Sequence, residues 1–241
     1  MHDYLVVIPA RYESTRFPGK PLVEICGKSM IHRVWEKCVQ SLSREQVLVA
    51  TDDERIINHC TENNMNAVLT SKNCLTGTDR IYEVSKTIKS KIYINVQGDE
   101  PLISPEDIIK IINTSKNAPK AIINGMCSIK NQEDHKNPNI PKVVVDQNSN
   151  LLYISRGAIP INKKLEFIEA KKQVCIYAFP YDALHKYGSV AEKTPLEKIE
   201  DIEILRFLEM GITVKMVEVS DSSIAVDIPE DLDKVIAAIS G

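Results

Sequence analysis

The chain has 241 residues, 43% of them hydrophobic and 26% charged, enough for one large α/β domain with a substantial core and an ordinary aqueous surface. A formal net charge of −3 argues against broad nucleic-acid or anionic-membrane binding, so a polyanion site must concentrate its positive charge locally. No apolar run is long enough to span a bilayer, and Asp3 comes early with a strand directly after it, so no basic and apolar signal pattern opens the chain; the expectation is a cytoplasmic protein without membrane insertion.

In chain order, strand-like runs are expected at 4–9, 46–50, 66–69 and 92–96, alternating with helical patterns near 29–41, 53–63 and 77–88. In the first helix, Met30, Ile31, Val34, Trp35 and Cys38 fall at helical spacing. Repeated β-α-β units imply a mostly parallel sheet flanked by helices, with ligands bound beyond the carboxyl ends of its strands. Ser104-Pro105-Glu106-Asp107 reads as a helix start, with Ser104 as N-cap, and the helix should run to about Lys116. Further strands are expected at 121–129, 142–146, 151–155 and 174–179, while the polar stretches 130–141 and 157–172 read as loops or a flap. Thr194-Pro195-Leu196-Glu197 has the form of a capping box opening a helix to about Met210, with Gly211 placed to end it. A strand at 213–219 and a helix at 229–239 finish the chain, and no repeat or linker divides it, so 1–241 reads as a single domain.

Chemistry concentrates in four segments. The first is Ile8-Pro9-Ala10-Arg11-Tyr12-Glu13-Ser14-Thr15-Arg16-Phe17-Pro18-Gly19-Lys20-Pro21-Leu22, a turn-rich loop after the first strand that places Arg11, Arg16 and Lys20 within ten residues. Cations in that position suit a polyphosphate, although neither a Walker A loop nor a G-x-G-x-x-G fingerprint is present. In the second, Asn95-Val96-Gln97-Gly98-Asp99-Glu100-Pro101, Asp99 follows the end of a strand, where it either ligates Mg²⁺ or makes a turn. In the third, Asp227 precedes Ile228-Pro229-Glu230-Asp231; proline at N1 makes Ile228 the nominal cap, which leaves Asp227 better explained as a second metal carboxylate. In the fourth, Thr76-Gly77-Thr78-Asp79-Arg80, small residues at a helix start suit a base edge or phosphate, or simply a helix cap.

Other chemistries find little support. The six cysteines form no C-x-x-C pair, and none of the five histidines sits in a metal-ligand or nucleophile pattern, so a hydrolase with a catalytic triad is not expected.

Together these motifs resemble the 3-deoxy-manno-octulosonate (KDO) cytidylyltransferase family, the CMP-KDO synthetases. The resemblance continues through Val49-Ala50-Thr51-Asp52-Asp53, Lys142-Val143-Val144, Leu152-Tyr153-Ile154-Ser155-Arg156, Ile159-Pro160, Ile176-Tyr177-Ala178 and Leu205-Arg206. It implies a nucleotidyltransferase-type fold with a smaller dimerisation and acceptor region at about 130–210, a homodimer, and CTP with Mg²⁺. The implied reaction moves CMP from CTP to the anomeric hydroxyl of a 2-keto-3-deoxy sugar acid and releases pyrophosphate. Matched by motif, Ala10, Arg11, Arg16, Lys20, Thr76, Gly77 and Gln97 would hold CTP, Asp99 and Asp227 would ligate Mg²⁺, and Asp99, Asp227, Lys20 and Arg11 would carry catalysis. Arg11, Gln97, Gln173, Tyr177 and Glu203 would meet the sugar acid.

Two positions depart from the family pattern. Gln173 stands where the family usually has His, and Ile204 replaces a polar residue after Glu203. The donor half of the site is therefore complete by motif, while the acceptor half is altered. Rival readings are a cytidylyltransferase for another ulosonic acid or a phosphonate, and a non-catalytic nucleotide-binding protein.

Overall fold

Strand β1 (His2–Ala10) carries an unbroken buried run from Leu5 to Ala10. After it come the small hairpin β2 (Glu24–Ile25) and β3 (Lys28–Ser29), then β4 (Val47–Thr51), β5 (Ala67–Leu69) and β6 (Ser90–Val96). In this computed structural model, which describes residues 2–14, 16–190 and 192–240, β1 pairs in parallel with β4 and with β6, and β5 pairs in parallel with β4. Thr15 of the opening motif lies outside the described residues. The spatial order β6-β1-β4-β5 sends the chain outward in opposite directions from β1. The crevice beyond the carboxyl ends of β1 and β6 is thus a topological switch point, the place where such sheets bind ligands.

The chain divides into two compact units, 1–109 together with 222–241, and 110–221. In the first, helices α1 (Met30–Val39), α2 (Glu54–Glu62) and α3 (Gly77–Thr87) pack on the parallel strands. Each starts at a side-chain cap: Ser29 Oγ accepts from His32 N, Asp53 from Arg55 N, and Thr76 from Asp79 N. The stripe of Met30, Ile31, Val34, Trp35 and Cys38 on α1 is buried as its spacing predicts. The boundary between units falls within α4 (Pro105–Asn117).

The second unit contains β7 (Ile122–Ser128), α5 (Gln132–Lys136), β8 (Lys142–Val145), β9 (Leu151–Ser155), β10 (Lys171–Pro180), α6 (Tyr181–Gly188), α7 (Pro195–Glu200), α8 (Ile204–Glu209) and β11 (Val214–Glu218). Here β11 runs parallel to β7, while β10 lies antiparallel to β7 and β8, and β8 antiparallel to β9. The final helix, α9 (Asp231–Ser240), belongs to the first unit, where Val226 and Val235 join Ile25 and Met30 in one core cluster.

Four sequence expectations need correction. The single helix expected over 194–210 is two helices, broken at Asp201 in the left-handed conformation (φ 51°). The reason is the buried pair between Arg206 and Glu197, with N–O contacts of 2.6 and 2.8 Å. Nine residues of straight helix would hold those positions about 13 Å apart along the axis, so the chain must turn back between them. The loop expected over 130–141 contains α5, capped by Asn131, whose Oδ1 accepts from Asp134 N at 2.8 Å. Strand β10 begins at Lys171, inside the expected loop 157–172. The last helix begins at Asp231 rather than Pro229, because the Asp231 carboxylate accepts from the N–H groups of Asp227 and Ile228.

Candidate active site

At the switch point the backbone after β6 presses against the end of β1. A Cβ added to Gly98 would stand 2.8 Å from the backbone oxygen of Pro9, closer than real Cβ atoms come, so glycine is what permits Asp99 to follow directly. Gly77, at the start of α3, sits in the same place: its added Cβ would lie 3.3 Å from both Gln97 Nε2 and Pro9 Cγ. Gln97 is held in turn by Asn95, with Nε2 donating to Asn95 Oδ1 at 3.1 Å. Pro9, Gly77, Gln97 and Gly98 therefore lie together at the switch point.

Lys20 begins a one-turn 3₁₀ helix (Lys20–Leu22) just after Gly19, which takes a left-handed φ of 73°. Its Nζ donates to Asp99 Oδ2 at 2.7 Å and to Val226 O at 2.8 Å, and Val226 N donates to Asp99 O at 2.9 Å. Arg16 Nη2 reaches Asp227 Oδ1 at 2.9 Å. The fold thus gathers two cations of the opening loop and both sequence-predicted carboxylates, although Lys20 and Asp227 are separated by most of the chain. Arg11 is exposed just past β1.

The loop has its own supports. Gly19 N donates to Tyr12 O at 2.9 Å, and Arg55 Cζ lies 3.3 Å from the centroid of the Tyr12 ring, a cation–π contact. Arg55 is also paired with Asp53 at 2.6 Å. Arg80, almost fully buried, bonds Asp52 Oδ2 at 2.8 Å and Thr70 Oγ1, which gives Asp52 of the Val49–Asp53 motif a structural role. Thr76 also caps α3: its hydroxyl and Asp79 form a complete capping box.

Asp99 and Asp227 fit Mg²⁺ by chemistry. Both offer hard carboxylate oxygens, their side chains are 27% and 52% exposed, and each is balanced by a cation that a phosphate could take over. Among the described residues no group of three or more His, Cys, Asp or Glu forms a metal-holding cluster.

The residues matched to the sugar acid lie in the second unit. Tyr177 on β10 stacks on Phe179 (centroids 5.5 Å apart), Phe179 on Phe207, and Phe207 on Tyr187, over which Arg206 Cζ lies at 3.9 Å. This column ties Tyr177 to the buried Arg206–Glu197 pair. Glu203 occupies the N-cap position of α8, and Ile204 is 1% exposed, so the residue that departs from the family pattern is a core side chain. Gln173 Nε2 donates to Asn124 Oδ1 at 2.9 Å. Asn124 was invisible to sequence reasoning: a lone Asn among apolar residues of a strand gives no signal until its partners are seen.

One histidine does meet a serine: Ser29 Oγ and His59 Nε2 lie 2.7 Å apart. That hydroxyl is the cap of α1, and burial lowers the pKa of His59, with neighbouring His32 acting in the same direction; the pair is a structural contact.

Comparison with known proteins agrees in one direction. A family model described as cytidylyltransferase matches residues 5–217. The 3-deoxy-manno-octulosonate cytidylyltransferase of Escherichia coli is 37% identical over 240 residues, covering 100% of this chain and 97% of that one. The enzyme of the same name from Fusobacterium nucleatum subsp. nucleatum is 43% identical over 235 residues, covering 97% and 95%. A solved structure of CMP:2-keto-3-deoxy-manno-octonic acid synthetase complexed with CTP superposes with a TM-score of 0.92 at 37% identity, covering 98% of each chain.

Proposed function

The chain belongs to the 3-deoxy-manno-octulosonate cytidylyltransferase family, and from that premise we propose that it transfers CMP from CTP to the anomeric hydroxyl of KDO, releasing pyrophosphate. It is a nucleotidyltransferase. The observation that carries the placement of the reaction is the junction at which Lys20 bridges Asp99 and the Val226 carbonyl at the β1/β6 switch point.

Nucleotidyl transfer at the α-phosphorus asks the protein mainly for positioning and charge neutralisation. Arg11, Arg16 and Lys20 would bind the triphosphate and offset the charge that builds on the leaving pyrophosphate. Lys20 and Arg16 would exchange their carboxylate partners for phosphate oxygens as CTP arrives, and the Asp99 and Asp227 oxygens would be released by that exchange. Those two residues would hold Mg²⁺, which when bound supplies charge neutralisation at the α-phosphate and lowers the pKa of the attacking hydroxyl. Ala10, Gly77 and Gln97 would line the cytidine side, where Gly98 keeps the backbone close to β1. Gln173, Tyr177 and Glu203 would meet the sugar acid, with Arg11 and Gln97 contributing from the donor side.

The working form would be a cytoplasmic homodimer. No helix among the described residues is long and apolar enough to cross a membrane, and the dimer would cover exposed apolar side chains of the second unit such as Leu165, Ile168 and Ile199.

The direct test is incubation of the purified protein with CTP, Mg²⁺ and KDO. Pyrophosphate release matched by a CMP–sugar product is expected. Absence of release with KDO, together with release for another ulosonic acid or a phosphonate, would replace the acceptor; absence with every acceptor would remove the enzyme reading of this chain.

A further inference from the structure

Strand β10 does not pair evenly with β7. Gln173 faces Met126 and Val174 faces Gly125, but the next pair is Tyr177 and Asn124, so Cys175 and Ile176 fall between consecutive pairs of the β10–β7 register. Such a bulge strands backbone carbonyls that must find other donors. Asn124, fully buried, supplies them: its Nδ2 donates to Val174 O at 2.9 Å and to Ile176 O at 3.0 Å. Gly125 supplies the space, because a Cβ there would stand 2.8 Å from Ile176 Cγ2 and 3.3 Å from Val174 Cβ. The consecutive pair Asn124-Gly125 thus builds the irregularity that separates Gln173 from Tyr177.

The same bonds fix polarity. Both Nδ2 hydrogens of Asn124 are committed to carbonyls, and a carbonyl only accepts, so the Asn124 amide has one permissible orientation. Its Oδ1 must then face Gln173, and Gln173 must offer its nitrogen, as the 2.9 Å contact shows. The half-buried Gln173 is left with Oε1 as the end of its amide that makes no hydrogen bond among the described residues.

We infer that Asn124 is a positioning residue for acceptor recognition, and that it locks Gln173 to present a hydrogen-bond-accepting oxygen to the sugar acid. The ligand group read there is a donor, a hydroxyl or an ammonium, and not a group that can only accept. This rests on the proposal that Gln173 meets the sugar acid.

The test uses KDO and analogues in which one hydroxyl at a time is replaced by hydrogen, fluorine or an amino group, with kcat/KM measured for wild type and for Gln173→Met at saturating CTP. At one position the deoxy and fluoro analogues are expected to lose roughly 10- to 100-fold in wild type while the amino analogue stays within about threefold, since one unmade hydrogen bond to a committed partner is worth that much. Gln173→Met should lose a similar factor on KDO, nothing further on that deoxy analogue, and leave KM for CTP unchanged. Asn124→Thr should show the same blunted discrimination if it folds, and the Gln173 variant decides the matter if it does not. A fluoro analogue accepted with the amino analogue rejected would show the nitrogen facing the ligand and overturn the polarity. Equal discrimination in wild type and Gln173→Met would remove Gln173 from acceptor recognition while leaving the cytidylyl-transfer reading intact. Turnover of KDO by neither protein would instead overturn the KDO assignment, and this inference with it.

Discussion

Lys20 Nζ lies 2.7 Å from Asp99 Oδ2, an ion pair formed across 79 residues of sequence between the loop after β1 and the loop after β6. The pair is largely enclosed, with side chains 14% and 27% exposed, yet water can still reach the carboxylate if the lysine is removed. Lys20→Ala should therefore fold normally. Its kcat/KM for CTP should fall by about 10²- to 10³-fold, the typical cost of losing one group that stabilises developing charge. Lys20→Arg should recover little, because a planar fork does not replace an ammonium that serves Asp99 and Val226 O at once. Steady-state rates at limiting CTP check this; an unchanged rate constant in Lys20→Ala would count against the clamp.

Gly98 has no room for a side chain against Pro9 O. Gly98→Ala should destabilise the fold by about 1–3 kcal/mol, as overpacking usually does. It should also weaken CTP binding, since relief of the clash must displace either Asp99 or the end of β1. Urea unfolding and CTP titration by calorimetry read the two effects separately; wild-type values for both would show that the strands can part without consequence.

Much of this site was legible in the sequence because it is written in contiguous motifs at strand ends. Arg16, Lys20, Gly77, Gln97, Asp99 and Asp227 announce themselves by residue type and by place after an apolar run, and the parallel strands bring those places together. What sequence reasoning could not supply was the pairing. That Lys20 rests on Asp99, and Arg16 on Asp227, depends on contacts between distant loops that no periodicity encodes. The break at Asp201 was hidden for a related reason: local propensity favours one helix over 194–210, and a buried ion pair between Glu197 and Arg206 overrides it. Asn124 and the bulge in β10 were hidden because a bulge leaves a strand's alternation looking almost regular.

The Glu197–Arg206 pair is buried on both sides, at 0% and 2% side-chain exposure. Removing one member leaves the other charge in the interior, so Glu197→Gln and Arg206→Met should each cost about 3–5 kcal/mol. Because Arg206 ends the aromatic column that begins at Tyr177, the same variants should raise KM for the acceptor more than KM for CTP. Chemical denaturation and two-substrate kinetics test this pair of effects, and a loss below about 1 kcal/mol, the range of exposed pairs, would mean that the site relaxes to admit water.

A pH dependence follows from Asp221. Burial alone would raise its pKa, but Lys130 Nζ at 2.8 Å and Lys172 Nζ at 2.7 Å outweigh it and hold the carboxyl down at about 2. A depressed folded-state pKa gives stability that is complete above the unfolded value of about 4 and is lost as pH falls toward the folded one. Unfolding free energy should therefore decline between about pH 4 and pH 2 more steeply in wild type than in Asp221→Asn. Parallel slopes in the two proteins would remove Asp221 from the acid transition.

Asp99 meets Lys20 and Asp227 meets Arg16 where Lys20 also bonds the Val226 carbonyl, and the proposed cytidylyl transfer rests on these two carboxylates. The most direct measurement is pyrophosphate release from CTP and KDO at saturating Mg²⁺ by Asp99→Asn and Asp227→Asn, each checked for wild-type circular dichroism and melting. Turnover in both should fall by about 10³-fold or more, in line with the loss of charge stabilisation at the reacting phosphate. Wild-type turnover in either folded variant would contradict it.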